Sequence, residues 1–446
     1  MTNVRQSQQV NAYFQSEDSY ASIGKESQSP GALSHIGLLD TFDPRMVDQQ
    51  YAAVSTIGYS VAPHVLKGPT NVMVPLKIGM WGDGWKTLLG RCIGQTTISG
   101  ALRPAHLRPD VQTVAILAEE QLASTFQCSL ASGVAFNKAE LELDYTTNAP
   151  ATINFDTTAY YVVDRESADS SRSTARNFAT TNALFIQADY SSQTIPSEPT
   201  GDPILPIDVG VKYALDGSTN GVSITGPTNS YVEVGERFII GYTAAGALDT
   251  NFGTSGVYDL TLDANNTISK INTLIDNDTG WTFADDAAGT IVSGRPLDLL
   301  KGVYKSGTTI YQTDSALADW PFVKTVKLTI DNQHIPLPGV GDGRGTASDI
   351  LLQNNEVARG ESIITLEITS TAKDETFYDK MVTGTSVPLV RLDFGTNGSI
   401  ALTNGRIMTR TAGYTAGTEV TETVTIQFYG AGDYTNYSKY AISGDF

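Results

Sequence analysis

Two distant stretches of this 446-residue chain are one unit written twice. The first runs Lys67-Gly68-Pro69-Thr70-Asn71-Val72-Met73-Val74-Pro75-Leu76-Lys77-Ile78, then reaches Trp85 and Leu89. The second runs Arg359-Gly360-Glu361-Ser362-Ile363-Ile364-Thr365-Leu366-Glu367-Ile368, then reaches Phe377 and Met381. One offset of 292 residues places Gly68 on Gly360, Val72 on Ile364, Leu76 on Ile368, Trp85 on Phe377 and Leu89 on Met381. Each copy reads as a turn glycine, a strand with one apolar face, and a short amphipathic helix. Helices this short do not persist in isolation. Each must pack its apolar residues, Trp85 and Leu89 or Phe377 and Met381, on a sheet.

The rest of the chain divides around this pair. Residues 1–35 are polar and read as a flexible N-terminal arm. Residues 36–192 hold the first copy. There Val72, Val74, Leu76 and Ile78 share a strand face, and Pro75 marks an edge or a bulge. Asp83 is the expected N-cap of the helix and Gly90 its stop. Antiparallel strands follow at Thr113–Ala118, Thr125–Ser132, Lys138–Tyr145 and Ile153–Val163. In the third, Ala139, Leu141 and Leu143 alternate with Glu140, Glu142 and Asp144. Residues 193–318 open on a proline-rich linker and read as an inserted small α+β domain. Its helix, Thr267–Ile275, carries Ile268, Ile271, Leu274 and Ile275 on one face, with Asn266 or Thr267 as N-cap. Residues 319–435 hold the second copy: strands Lys324–Asp331 and Ile364–Thr369, a helix from Lys373 to Val382, and three closing strands. A glycine-rich loop spans 333–349. Thr371 is the expected cap of this helix and Gly384 its stop. Residues 436–446 read as a tail.

Composition narrows the function. A net charge of -19 argues against a grip on nucleic acid, which needs a basic stripe to displace counterions. Two cysteines, Cys92 and Cys128, are too few for a disulfide scaffold and read as buried free thiols. The first residues lack the apolar core of a signal peptide, and no apolar run is long enough to span a bilayer. The expectation is a chain made and assembled in a cytoplasm, with no membrane partner.

No catalytic signature emerges. His35, His64, His106 and His334 lack metal-ligand spacing. Gly339–Gly345 is glycine-rich but is not a phosphate loop leading from a strand into a helix. Asp276-Asn277-Asp278-Thr279-Gly280 lacks the distant glutamate of a calcium loop and reads as a polar turn. The adjacent carboxylates Glu119-Glu120 and Asp285-Asp286 read as solvated surface. The expectation is therefore no enzyme, no cofactor and no metal.

The second copy carries a pattern of its own. The strand Val326-Lys327-Leu328-Thr329-Ile330-Asp331-Asn332 leads to the glycine-rich loop. Next come Arg359–Leu366, the helix with Phe377, Tyr378 and Met381, and a close on Val424-Thr425-Ile426-Gln427-Phe428. This layout resembles the tail tube (major tail) proteins of tailed bacteriophages and tailed archaeal viruses, and the first copy resembles the same domain more faintly. The resemblance covers about 250 residues and leaves out 193–318. It implies two antiparallel β-sandwich or half-barrel domains, each flanked by a short helix. It implies a virion structural protein, assembled in the host cytoplasm. Its partners would be copies of itself in stacked rings, other tail proteins, and duplex DNA passing through without specific binding. Single-domain members form hexameric rings, so a chain with two such domains implies a trimer with pseudo-sixfold symmetry, with a hexamer as the alternative. Glu140, Glu142, Asp144 and Glu367 then become candidate lumen residues that repel phosphates, or else part of an ordinary solvated outer face. The competing reading of the residues is a surface-exposed adhesive or carbohydrate-binding β-protein.

Overall fold

The computed structural model describes residues 10–19, 21–23, 28–42, 45–47, 51–54, 64–67, 71–95, 97–98, 101–102, 105–106, 111–121, 126–167, 190, 193–215, 217–262, 264–265, 267–285, 299–313, 317–340, 352–372, 375–413, 419–433 and 437–446. It is a mainly β chain of antiparallel sheets with helices α1 (Gly84–Ile93), α2 (Ile268–Ile275) and α3 (Thr376–Thr383). No helix among the described residues is long and apolar enough to cross a membrane.

The first half places β1 (Val10–Ser16), β2 (Leu38–Phe42), β3 (Arg45–Val47), β4 (Asn71–Met73) and β5 (Leu76–Gly79) before α1. After it come β6 (Thr113–Gln121), β7 (Phe126–Asp144), β8 (Thr152–Ala159) and β9 (Tyr161–Ser167). The second half runs β10 (Gly210–Ala214), β11 (Val323–Asp331), β12 (Ile363–Thr371), α3, β13 (Val387–Asp393), β14 (Ser399–Gly413), β15 (Thr421–Phe428) and β16 (Ile442–Asp445). The pairings of the two halves correspond. In the first, β2 and β3 pair with β5 and β4, and these with β8, which pairs with the C-terminal part of β7. The N-terminal part of β7 pairs with β6 and β9, and β6 with β1. In the second, β11 pairs with β12, β12 with β15, and β15 with the C-terminal part of β14. The N-terminal part of β14 pairs with β13 and β16, and β13 with β10.

Irregularities recur at matching places, which chance packing does not produce. The bulge between Leu39 and Thr41 falls where β11 bulges between Val323 and Thr325. The bulge between Phe136 and Lys138 falls where β14 bulges between Ile407 and Thr409. Both long strands turn from one sheet to the other at a left-handed residue, Gly133 (φ 66°) in β7 and Asn404 (φ 59°) in β14. Glycine and asparagine are the residues that adopt this conformation readily. The 292-residue offset therefore aligns β4 and β5 with β12 residue by residue.

The halves fuse because β7 pairs directly with β11, Leu141 opposite Leu328 and Glu142 opposite Lys327. One aliphatic row then crosses the joined sheet: Leu39, Ile78, Ile153, Leu141, Leu328, Leu366, Ile426 and Ile407. From Ile78 to Ile426 every member is at most 1% exposed. Each such side chain stabilises the fold by about 2 kcal/mol through removal from water.

Several sequence expectations shift. Helix α1 runs through Gly90 and stops at Gly94, which has φ 92° and donates its N–H to the carbonyls of Arg91 and Gly90. Asp83 is at the N-cap but makes no side-chain cap; it pairs with Lys86 Nζ at 2.9 Å. Thr371 is the last residue of β12, and Glu375 is the N-cap of α3; Gly384 ends that helix with φ 64°. Pro75 interrupts the ladder between β4 and β5. The strands expected at Thr125–Ser132 and Lys138–Tyr145 are one continuous strand, β7, over Phe126–Asp144. Ile335–Val340, inside the span read as a loop, is a strand that pairs with Leu352–Ala358. Residue 10 onward, read as arm, pairs with β6.

The block between the halves folds around its own core, from Val222 to Ile310, whereas β10, read as part of the inserted block, pairs with β13 in the main sheet. The strands Thr282–Asp285, Gly217–Thr225 and Thr309–Thr313 face a second sheet that includes Phe238–Tyr242, Tyr231–Val234 and Gly302–Lys305. Helix α2 buries Ile268, Ile271 and Ile275 between them, capped by Thr267 accepting from the Lys270 N–H. Tyr437–Lys439, at the start of the expected tail, pairs with Gly302–Lys305, and the chain then returns to the main sheet as β16. A buried cluster pins this block to the second half. Glu236 accepts from Arg391 Nε at 2.5 Å and Ser399 Oγ at 2.8 Å, and meets Lys301 Nζ at 3.2 Å.

Candidate assembly surface

The joined sheet has one apolar and one polar face because its strands alternate in register. The apolar face meets the helices. Trp85 and Leu89 are fully buried in the main core, and the Trp85 ring packs edge-on against Phe394 at 5.4 Å. Phe377 is buried and stacks on Trp320 at 4.4 Å, while Met381 packs at the core margin.

The polar face brings the four sequence-selected carboxylates to one side. A first row reads Thr41, Lys77, Asn154, Glu140, Thr329, Thr365, Gln427 and Arg406. A second contains Thr152, Glu142, Lys327, Glu367, Thr425 and Thr409, and a third Asp144, Thr325, Thr369, Thr423 and Thr411. Thr325, Glu142, Glu367, Arg406 and Thr409 are open to solvent.

This face is not simply acidic. Lys138 Nζ lies 2.6 Å from Glu140, and Lys327 Nζ lies 3.3 Å from Glu140 and 3.5 Å from Glu142. Lys77 pairs with Asp40 at 3.0 Å. Burial pushes the Glu140 carboxyl up, but the hydrogen bonds and charges of Lys138 and Lys327 outweigh it and hold it below the ordinary carboxylate value. Asp144 is held low by hydrogen bonds from the Thr146 hydroxyl and N–H. Sequence reasoning missed the pairing of lysines with these carboxylates, although Lys138 stands two residues before Glu140 in the same alternation. The lysines of this face are paired with its carboxylates, and threonine hydroxyls make much of the rest neutral and polar.

The second feature is the pair of edges. Among the described residues β2 pairs along its length only with β5, and β3 only with β4. At the opposite end, among the described residues, β14 from Arg406 to Gly413 pairs only with β15. An unpaired edge exposes a row of N–H and C=O groups that template another strand. Beside this second edge, Tyr378, Val382 and Met408 are exposed apolar side chains. On the equivalent helix of the first half, α1, the residues Trp85, Leu88, Leu89, Cys92 and Ile93 are all buried.

Among the described residues no group of three or more His, Cys, Asp or Glu could hold a metal ion, and Glu119, read as solvated surface, is 2% exposed within β6. Asp276 Oδ1 accepts from the Phe283 N–H, and Asp278 accepts from the Gly253 N–H and the Tyr258 hydroxyl, so both serve the local turn. Cys92 is a free, buried thiol that burial pushes up to about 12. The side chains of Cys128, His64 and His106 and the run 341–345 lie outside the described residues.

No protein-family model and no curated protein matches this chain. Among solved structures, a chain of the anti-feeding prophage baseplate, determined by cryo-EM with six-fold symmetrisation, has a similar backbone. The match covers 37% of this chain and 97% of that one, at 11% identity and a TM-score of 0.26.

Proposed function

We propose that this protein is a virion structural protein, the subunit of a tail tube whose stacked rings form a channel for genome delivery, and that it has no enzymatic activity. The observation that carries the reading is the joined sheet. Two equivalent four-stranded sheets merge edge to edge through β7 and β11, and among the described residues the equivalent edges at the two ends stay open. A sheet that repeats its own seam adds copies head to tail, and it closes into a ring when the rotation per copy divides a full turn.

Size supports the reading. Counting β2 with β3 and β4 with β5 as single interrupted strands, eight strands cross the joined sheet. Three copies supply about 24 strands. At ~4.8 Å spacing and ~40° tilt the backbone circle is roughly 48 Å across, leaving a channel of roughly 35–40 Å inside the side chains. Duplex DNA fits such a channel. The polar face, with its carboxylates, threonines and internally paired lysines, then faces the lumen and lets the phosphates pass without holding them. The inserted block projects outward, joined to the second half through Glu236 and Arg391. Negative-stain electron microscopy and light scattering of the purified protein test this. Rings with three copies and a stainable channel, or stacked tubes, are the expected result. A monodisperse monomer at millimolar concentration is the result that sinks it.

A further inference from the structure

The seam inside the chain prescribes the seam between chains. We propose that the open edge of β14 docks on β3 and β2 of a second copy of this chain, antiparallel, in the register that β7 and β11 already use. Thr409 then lies opposite Val47, Arg410 opposite Met46, and Thr411 opposite Arg45.

The register follows from the duplication. The matched bulges and the left-handed residues Gly133 and Asn404 align β14 with β7, so that Thr409, Arg410 and Thr411 take the places of Lys138, Ala139 and Glu140. The pairings of β3 with β4 and of β11 with β12 align Arg45, Met46 and Val47 with Thr329, Ile330 and Asp331. Inside the chain Lys138 faces Asp331, Ala139 faces Ile330 and Glu140 faces Thr329. Substituting the equivalents yields the three proposed pairs.

The two seams differ in one respect that marks the outer one. Under the inner seam Ala139 and Ile153 are buried apolar neighbours. Their equivalents at the outer edge are Arg410 and Glu422, an ion pair at 2.7 Å with Glu422 buried and Arg410 nearly so. An inward-pointing charge on an edge strand discourages indiscriminate strand addition. The Arg410 guanidinium also lies 5.9 Å from the exposed Tyr378 ring, so ion pair and apolar patch occupy one site. The outer edge is thus guarded while single, and the inner one, permanently paired, needs no guard.

The proposal rests on the ring reading, and the test separates the two. In a Cys128→Ser background, Thr411→Cys is combined with Arg45→Cys, and as a shifted control with Val47→Cys, under mild oxidation of the assembled protein. The proposed pair should give intermolecular disulfides, as dimers and trimers on non-reducing gels, at least about tenfold more efficiently than the control. Assembled rings in which the shifted pair cross-links equally or better overturn the register and leave the ring reading standing. Cross-linked open chains without rings support the joint and overturn the ring. Monomers without cross-links overturn both. Hydrogen exchange of the unmodified protein provides a check that needs no substitution. Amides of 45–47 and 409–411 should slow together on assembly, and unchanged exchange there in assembled protein also overturns the proposal.

Discussion

Asn332 is the place where the inner seam is easiest to break. It follows β11 directly and is 2% exposed. Its amide donates to the carbonyls of Cys92 at 3.0 Å and Phe136 at 3.1 Å, one at the end of α1 and the other at the bulge of β7. Its Oδ1 accepts from Ser362 Oγ at 3.0 Å, at the start of the repeated strand. One side chain of the second half thus closes two backbone acceptors of the first. Asn332→Ala leaves both carbonyls without that donor in a dry site. At roughly 1–3 kcal/mol for each orphaned group, less what relaxation recovers, the loss is about 3 kcal/mol. The neighbouring Cys92 thiol reports it. Its burial makes labelling by a thiol reagent depend on opening, and 3 kcal/mol corresponds to roughly 100-fold in the opening equilibrium. In a Cys128→Ser background, Asn332→Ala should raise the labelling rate of Cys92 by about that factor and lower the denaturant unfolding free energy by about 3 kcal/mol. Ser362→Ala, which leaves both carbonyl bonds in place, should cost about 1 kcal/mol. A labelling rate within threefold of the parent, with an unfolding free energy unchanged within about 0.5 kcal/mol, would refute the assignment of the seam to this residue.

Further expectations concern the block anchor, the strand turns and the guarded edge. Burial pushes Glu236 up, but Arg391 and Lys301 outweigh it and bring it to about 2 from an ordinary 4.5. A depressed carboxyl stabilises the fold above its unfolded value and loses that contribution as pH falls through its folded value. Acid titration should therefore remove on the order of 3 kcal/mol between about pH 4.5 and 2, and Glu236→Gln should abolish that slope while destabilising the protein at neutral pH. A Cβ on Gly133 would sit 2.7 Å from the Cβ atoms of Ala21 and Tyr160, so Gly133→Ala should cost more than about 2 kcal/mol in thermal melts. Asn404→Gly, at the equivalent turn, should cost about 1 kcal/mol, for its bond to the Tyr429 carbonyl. Arg410→Ala with Glu422→Ile copies the inner seam onto the outer edge. It should lower the concentration at which light scattering detects assembly by about tenfold or more, and an unchanged threshold would show that the ion pair guards nothing.

The repeated strand and helix were legible because period-two and helical burial patterns are written in consecutive residues. The offset aligned Leu76 with Ile368 and Trp85 with Phe377, and the ladders of β5 and β12 keep that alignment. Helix ends were less legible. Gly90 looked like a stop, yet it is an interior glycine whose Cβ would meet Gln95 Oε1 at 2.6 Å, and Gly94 takes the left-handed turn. The offset also hid how far the repeat extends, because insertions of different length separate the matched strands: β7 aligns with β14 and β2 with β11 at other spacings. The lysine partners of the polar-face carboxylates were hidden for a related reason. Pairing of Lys327 with Glu140 and Glu142 depends on which strand of the other half lies beside β7, and that is set by the seam.

Joining two equivalent sheet units in one chain changes more than the chain count. A seam held by the same polypeptide forms at an effective concentration set by the connection rather than by the number of free subunits. Once one seam of each pair is intramolecular, the two edges no longer need the same residues. The inner one is filled with Ala139, Ile153 and the Asn332 amide, and the outer one keeps Arg410 with Glu422. The halves also diverge in what they carry. Helix α1 is covered while α3 stays open at Val382, and the connection between the halves holds the inserted block. Because Glu236 binds Arg391 and Ser399 of the second half, and Tyr437–Lys439 completes a sheet of the block, it is tied to that half at two places. A ring of three chains would therefore present three outer blocks on six equivalent positions. The threefold signal in an image should come from the exterior while the channel wall remains close to sixfold.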